Sequence, residues 1–193
     1  MNKLNVHPLH YFLVRKRTTF TWLIPIGLFT ASWFWGHRNI PAYAAGCGFS
    51  FLGELVRVWA AGTIHKDDSI AEVGPYGFVR NPLYLGSLLI AIGVAVMSGI
   101  GPAAWAIILL LFLIFHLAAI LYEEQFLKDK FGEPYELYLT RVPRLIPLPR
   151  RRSAGTADSQ FSWKQVQFNR EPTTALITLA TALLFGLLQV INR

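Results

Sequence analysis

From Asn81 to Tyr122 the chain runs for 42 residues without an Asp, Glu, Lys or Arg. A membrane-spanning helix needs about 20 consecutive apolar residues, so this stretch is too long for one crossing and long enough for two. Ser98-Gly99-Ile100-Gly101-Pro102 interrupts it, and Gly and Pro are the strongest breakers of a periodic run. The stretch therefore reads as a helical hairpin, Pro82 to Met97 and then Pro102 to Tyr122. The first arm is short for a full crossing and is expected to tilt or to be shielded by neighbours.

Three further runs have the same character. Thr18 to Gly36 holds no charge, carries Pro25 and Gly27, and has Trp22, Trp33 and Trp35 near its ends, where interfacial anchors belong. Ile40 to about Ile64 carries Glu54 and Arg57, three residues apart and so on one helical face. Pro172 to Asn192 is the last. The fold class is all-α: a polytopic membrane bundle of about five transmembrane helices. Residues 1–149 form a core of four spans ending in a motif-bearing segment. Residues 150–193 hold a Ser/Gly/Ala-rich linker, a cytoplasmic segment and the fifth span.

Composition agrees. Charged residues make up 15% and hydrophobic ones 53%, against roughly 25% charged in soluble domains, and the mean hydropathy is +0.40. The net charge is +7. Its basic residues flank apolar runs, so they face anionic lipid, and nucleic acid is excluded as a partner because no sizeable polar domain remains to bind it. The lone Cys47 sits among Ala44, Ala45, Gly46 and Gly48 and reads as a packing residue. No Cys/His spacing of a metal site occurs, so no metal is expected.

Lys and Arg set the orientation. With a cytoplasmic N-terminus, Lys3, Arg15, Lys16, Arg17, Lys66, Arg80, Lys128, Lys130, Arg141, Arg144, Arg150, Arg151, Arg152, Lys164 and Arg170 fall inside; only Arg38 and Arg193 fall outside, and Arg57 lies within a span. The polar regions His65 to Arg80 and Glu123 to Glu171 are then both cytoplasmic, and candidate chemistry is sought there.

The first candidate is Gly74-Pro75-Tyr76-Gly77-Phe78-Val79-Arg80-Asn81-Pro82-Leu83-Tyr84-Leu85-Gly86. Asn81 and Pro82 read as N-cap and first residue of a helix. The unpaired amides of a helix start, with Arg80 beside them, make a cradle for a carboxylate or phosphate. The alternative is a plain helix start with Arg80 reaching to headgroups. The second candidate is Glu123-Glu124, where the hairpin's second arm meets the cytoplasm. Adjacent carboxylates point about 100° apart. Glu124 is expected to pair with Lys128 in water at i,i+4, leaving Glu123 to face the bundle as an ionisable residue at the membrane boundary. His116, seven residues earlier, reads as a packed, hydrogen-bonded histidine. The third candidate runs from Phe131 to Pro147. Gly132 closes one helix, Pro134 opens a short second one, Tyr135 and Tyr138 share its face, and Pro143 ends it. Glu54 with Arg57 is either a structural pair or a polar wall of a substrate cavity.

In this order and spacing the motifs resemble one family. Gly74, Tyr76, Arg80, Pro82, Tyr84 and Gly86, then Glu123, Glu124 and Leu127, then Phe131, Gly132, Tyr135 and Tyr138, then Val142, Pro143, Arg144, Ile146 and Pro147 look like the isoprenylcysteine carboxyl methyltransferase and phospholipid N-methyltransferase superfamily. The likeness covers roughly residues 72 to 148. It implies an integral membrane enzyme that binds S-adenosylmethionine in a cytoplasm-facing pocket and takes a lipid-like acceptor, a phospholipid amine or an isoprenylcysteine-type carboxylate, from the bilayer. It implies cofactor contacts from Gly74, Pro75, Tyr76, Arg80, Asn81, Pro82, Tyr84, Gly86, Glu123, Leu145 and Ile146. Substrate contacts are expected from Glu54, Arg57, Tyr135, Tyr138 and Arg144. Catalytic roles are expected for Glu123, for Glu124 as a base toward an amine, and for Arg144 as a bidentate grip on an acidic acceptor. One position departs from the family: Asn81 stands where Arg-His-Pro is usual, and Asn takes no proton at neutral pH, so a cofactor contact rather than acid–base work is expected of it. Two other readings remain open, a reductase using NADPH on a membrane lipid and a non-enzymatic lipid-binding or transport protein.

Overall fold

The structure is a computed structural model and describes residues 23–64, 70–147 and 161–191. The described residues are helical, with no strand among them. Helix α1 is described from Leu23 to Trp35. It is followed by α2 (Ile40–Thr63), a 3₁₀ turn (Gly74–Gly77), α3 (Pro82–Met97), α4 (Pro102–Phe131), α5 (Glu133–Arg141), α6 (Trp163–Phe168) and α7 (Glu171–Ile191). The hairpin boundaries at Pro82, Met97 and Pro102 fall where the sequence places them. The expected linker from Ser153 to Gln160, the basic residues Arg150 to Arg152, and Trp22 lie outside the described residues.

Local chemistry explains these ends. Asn39 Oδ1 accepts the Ala42 amide at 2.9 Å and caps α2, while proline occupies the first turn of α2, α3, α4 and α5, where its missing N–H costs nothing. Gly132, at φ 64°, ends α4 and lets the chain turn straight into α5; a residue with a Cβ is disfavoured there.

Helices α2 and α3 pack closest, and glycine is the reason. A Cβ on Gly46 would lie 2.6 Å from the Gly93 carbonyl oxygen, and one on Gly53 would lie 2.6 Å from that of Gly86. The two glycines on each helix are seven residues apart, so the antiparallel pair touches backbone to backbone at two levels. Small residues at helix contacts are how membrane helices gain dispersion energy when lipid is as apolar as leucine. Cys47 packs its sulfur 3.7 Å from that of Met97 beside this seam. A buried cluster of Leu28, Val94, Met97, Phe185 and Leu188 joins α1, α3 and α7.

The outer surface is apolar. Phe51, Leu55 and Trp59 on α2, Ile107, Leu110 and Ile114 on α4, and Leu179, Leu183 and Leu187 on α7 are all exposed, far more apolar surface than a water-soluble monomer leaves uncovered. From Trp105 onward α4 is long and apolar enough to cross a membrane, and so is α7; the described part of α1 and α3 are shorter apolar helices. At 1.5 Å per residue α3 is about 24 Å long, short of the roughly 30 Å hydrocarbon layer.

The two ends of the bundle differ. At one end the His37 amide meets the Gly99 carbonyl at 3.2 Å and the Asn39 amide meets Gln189 Oε1 at 2.8 Å. At the other end lie the 3₁₀ turn, the start of α3, the last turns of α4, and α5. The Arg80 amide donates to the Pro143 carbonyl at 2.8 Å, and Tyr138 Oη donates to the Tyr76 carbonyl at 2.8 Å. These two bonds fasten the Gly74–Asn81 segment to α5 and to the segment that follows it.

Candidate functional site

The cluster at that end centres on Glu124. It is buried at 7% exposure, although it stands near the end of a long helix whose neighbouring turns carry Lys128 and Lys130. Three groups hold its carboxylate. Arg144 donates from Nε at 3.0 Å and from Nη2 at 2.8 Å to Oε2. Asn81 Nδ2 donates to Oε1 at 3.1 Å. Arg80 Nε lies 3.6 Å from Oε1, inside ion-pair range but too far for a hydrogen bond. The hydrogen bonds to Glu124, more than its charge, hold the Arg144 guanidinium above its ordinary pKa.

This arrangement corrects the expected division of labour between the two carboxylates. Glu124, assigned to water and Lys128, is the buried one, and Lys128 instead pairs with Glu136 at 2.9 Å. Glu123 accepts a 2.7 Å hydrogen bond from Tyr84 Oη. The Tyr84 ring meets the His116 ring edge-on at 5.8 Å, and His116 stacks on Phe112 at 3.6 Å with Nδ1 2.9 Å from the Phe112 carbonyl oxygen. His116 is thus packed and hydrogen-bonded, as its place in an apolar run suggests. Adjacent carboxylates on one helix end up in two environments, one clamped by arginine and one held by a phenol.

Asn81 also departs from expectation. It is the residue before α3, but its side chain makes no capping bond; its amide reaches Glu124 and the Arg144 carbonyl at 3.2 Å. The positive end of α3 is therefore left without a side-chain cap. Two buried atoms beside it, Nε of Arg80 and the hydroxyl of Tyr76, make no hydrogen bond among the described residues. Tyr76 follows Gly74 and Pro75 in the 3₁₀ turn and is 6% exposed. A buried donor without a partner is costly.

Other expected contacts lie elsewhere. Gly86 is sealed in the α2–α3 seam, where an added Cβ would meet Arg57 Cγ and the Gly53 carbonyl. Ile146 is 74% exposed and Leu145 precedes it on the same bend. Tyr135 and Tyr138 are each 3% exposed and pack with Val142, Leu127 and Phe131, so they build the floor that carries the Arg144 segment. Burial raises both phenols, Tyr135 to about 12 with the Glu124 charge adding to the effect; burial raises Tyr76 as well.

Glu54 and Arg57 do not pair with each other by hydrogen bonds. Arg57 binds Glu171 on α7 through Nε at 2.5 Å and Nη2 at 3.1 Å, and reaches Ser87 and the Leu83 carbonyl through Nη1. Glu54 accepts from Thr178 at 2.5 Å. Sequence reasoning missed Glu171, Ser87 and Thr178. The available signal was the spacing of Thr174, Thr178 and Thr181, which puts three hydroxyls on one face of α7. No group of three or more potential metal ligands occurs among the described residues.

Comparison with known proteins gives the chain's relatives. The family described as phospholipid methyltransferase matches residues 42–134, which run from the start of α2 to the start of α5. A cobalt-zinc-cadmium resistance protein, CzcN, of Cupriavidus metallidurans is 30% identical over 145 residues, 70% of this chain and 66% of that protein. The protein-S-isoprenylcysteine O-methyltransferase of Schizosaccharomyces pombe is 32% identical over 58% of this chain and 44% of its own length. The corresponding B enzyme of Arabidopsis thaliana is 37% identical over 57% of this chain and 52% of its own. The chain thus spans between about two-fifths and two-thirds of the length of these relatives. No solved structure matches it significantly. The family match and these relatives support the membrane methyltransferase superfamily, which includes the phospholipid methyltransferases and the protein-S-isoprenylcysteine O-methyltransferases, as the family of this chain.

Proposed function

We propose that the protein is an integral membrane methyltransferase that transfers a methyl group from S-adenosylmethionine to a lipid-like acceptor, with five spans and its N-terminus and active site on the cytoplasmic side. The observation that carries this reading is the convergence of the Arg80 turn, the Glu123–Glu124 helix end and Arg144 on one cluster that still holds two buried, unpaired polar atoms. The relatives named as O-methyltransferases support the reaction class.

The residues present fit the cofactor. Its carboxylate suits Arg80 Nε and the first amides of α3, which lack a side-chain cap and favour anions. Glu123, oriented by Tyr84, suits its ammonium or ribose hydroxyls. The Tyr76 hydroxyl supplies one more buried donor. When bound, S-adenosylmethionine supplies an already activated methyl group on a sulfonium. The protein's task is then alignment rather than bond activation. Asn81 and Arg144 hold Glu124, and Glu124 in turn holds the turn of α3 against the segment after α5. That use of both carboxylate oxygens replaces the expected base role of Glu124 with a positioning role. Arg144 is 41% exposed at its side chain, so its outer edge is accessible to an acidic group of the acceptor.

The acceptor class is tested by incubating the protein in lipid vesicles with isotopically labelled S-adenosylmethionine, then analysing extracted lipids and an added prenylated cysteine by mass spectrometry. Label in either acceptor supports the proposal and names the class. Label in neither, with S-adenosylhomocysteine bound, leaves a binding protein without transferase activity and contradicts it.

A further inference from the structure

A partly open cavity lies between the helices, lined by residues other than those of the Glu124 cluster. Its volume is about 250 Å³, and it is walled by Ile24 of α1, Arg57 of α2, Ser87, Ala91 and Val94 of α3, Phe112 of α4, and the threonine face of α7. Helix α7 lies beyond the residues that the family match covers.

Most of the polar groups in this wall are already used. Thr181 donates to the Ile177 carbonyl at 2.8 Å, Thr178 to Glu54, and Ser87 to the Leu83 carbonyl at 3.0 Å. Arg57 is consumed by Glu171, Ser87 and the Leu83 carbonyl. Apart from the Thr174 hydroxyl, what remains facing the cavity is mostly methyl, methylene and ring. A buried water needs two to four polar partners, and a wall that is mostly apolar favours a hydrocarbon occupant instead. In a bundle whose outer surface is lipid-facing leucine and phenylalanine, the surrounding apolar medium is phospholipid chain.

The cavity also has a direction. Residues 87 to 94 of α3 and 174 to 181 of α7 each cover about 10 Å along the helix axis. The Arg57–Glu171 pair closes the end nearer the Glu124 cluster. On α4, Phe112 forms part of the wall and stacks on His116, which touches Tyr84, the partner of Glu123.

We infer that this cavity is a binding site for one acyl chain of a membrane phospholipid, completed by α7 and closed at its inner end by Arg57 and Glu171. The site does not depend on methyl transfer. It is tested by reconstituting the full chain into phosphatidylcholine vesicles that carry a diazirine on one acyl chain, irradiating, and mapping adducts by mass spectrometry. Adducts are expected at Ala91, Val94, Thr178 and Thr181, in addition to the outward residues Leu176, Leu179 and Leu183, which are exposed to bulk lipid. Ala91→Phe fills the cavity and is expected to remove the inward adducts while the outward ones remain. Ala91→Val, the milder change, is expected to reduce them and serves if the larger side chain unfolds the bundle. Adducts confined to the outward residues in the unaltered protein, or inward adducts that persist in a folded Ala91→Phe protein, would overturn the site.

Discussion

Arg144 grips the Glu124 carboxylate through two of its nitrogens, Nε at 3.0 Å and Nη2 at 2.8 Å, across 20 residues of chain. That clamp joins the end of α4 to the segment after α5, and through Asn81 it also reaches the start of α3. Planar two-point contact is what arginine provides and lysine does not. Arg144→Lys is therefore expected to keep the charge but loosen the site, lowering methyl transfer at least tenfold, or about 1.4 kcal/mol in the barrier. Glu124→Ala leaves Arg80 and Arg144 facing each other without a counter-charge and is expected to cost about 1–3 kcal/mol of stability, read as a lower unfolding temperature in detergent.

Tyr84 orients Glu123 through one hydrogen bond of 2.7 Å. Removing it with Tyr84→Phe keeps the ring against His116 and is expected to cost about 1 kcal/mol. Affinity for S-adenosylhomocysteine should fall about fivefold by calorimetry, with no loss of fold by circular dichroism. An unchanged affinity would separate Glu123 from cofactor binding.

At Gly46, Gly53, Gly86 and Gly93 the α2–α3 seam leaves no room for a side chain. A Cβ on Gly93 would lie 2.5 Å from the Gly46 carbonyl oxygen and would strike Ser50 Oγ. Gly93→Ala and Gly46→Ala are each expected to destabilise the bundle by about 1–3 kcal/mol, the usual cost of overpacking. Gly48→Ala, where nothing lies within 4 Å of the added carbon, is the matched control and should unfold with the parent.

The buried phenols give a pH signature. Burial raises Tyr76, Tyr135 and Tyr138, with Tyr135 reaching about 12 from an ordinary 10. The folded pKa of each lies above its unfolded value. Their contribution to stability is therefore fully present below about pH 10 and is lost as pH rises through the folded value. Ultraviolet titration should show these three ionising above the ordinary phenol value of 10, and Tyr135→Phe should shift alkaline unfolding upward.

Much of the fold was legible in the sequence because it rests on local signals. Pro82, Met97, Pro102 and Gly132 mark helix ends through backbone chemistry that a sequence carries in plain form. The site was legible only as an address. Arg80, Glu123, Glu124 and Arg144 could be gathered from their motifs, but which carboxylate turns inward depends on the path of the chain after Gly132, and that path brings Arg144 back onto Glu124. An i,i+4 partner such as Lys128 is visible in sequence; a partner such as Arg144, delivered by tertiary packing, is not. Glu54 and Arg57 show the same effect. They read as a pair at three-residue spacing, but α7 offers each a better partner in Thr178 and Glu171. Tyr135 and Tyr138 were placed on one face correctly, and that face is the buried one.

The central claim is that the Arg80 turn and the Glu123 helix end form one cofactor site. Calorimetric titration of the purified protein with S-adenosylhomocysteine, alongside Arg80→Ala and Glu123→Gln, tests it most directly. Saturable binding by the parent, weakened at least tenfold or about 1.4 kcal/mol in each variant, is the predicted result. Equal affinity in all three proteins, or a parent that binds NADPH and not S-adenosylhomocysteine, would contradict it.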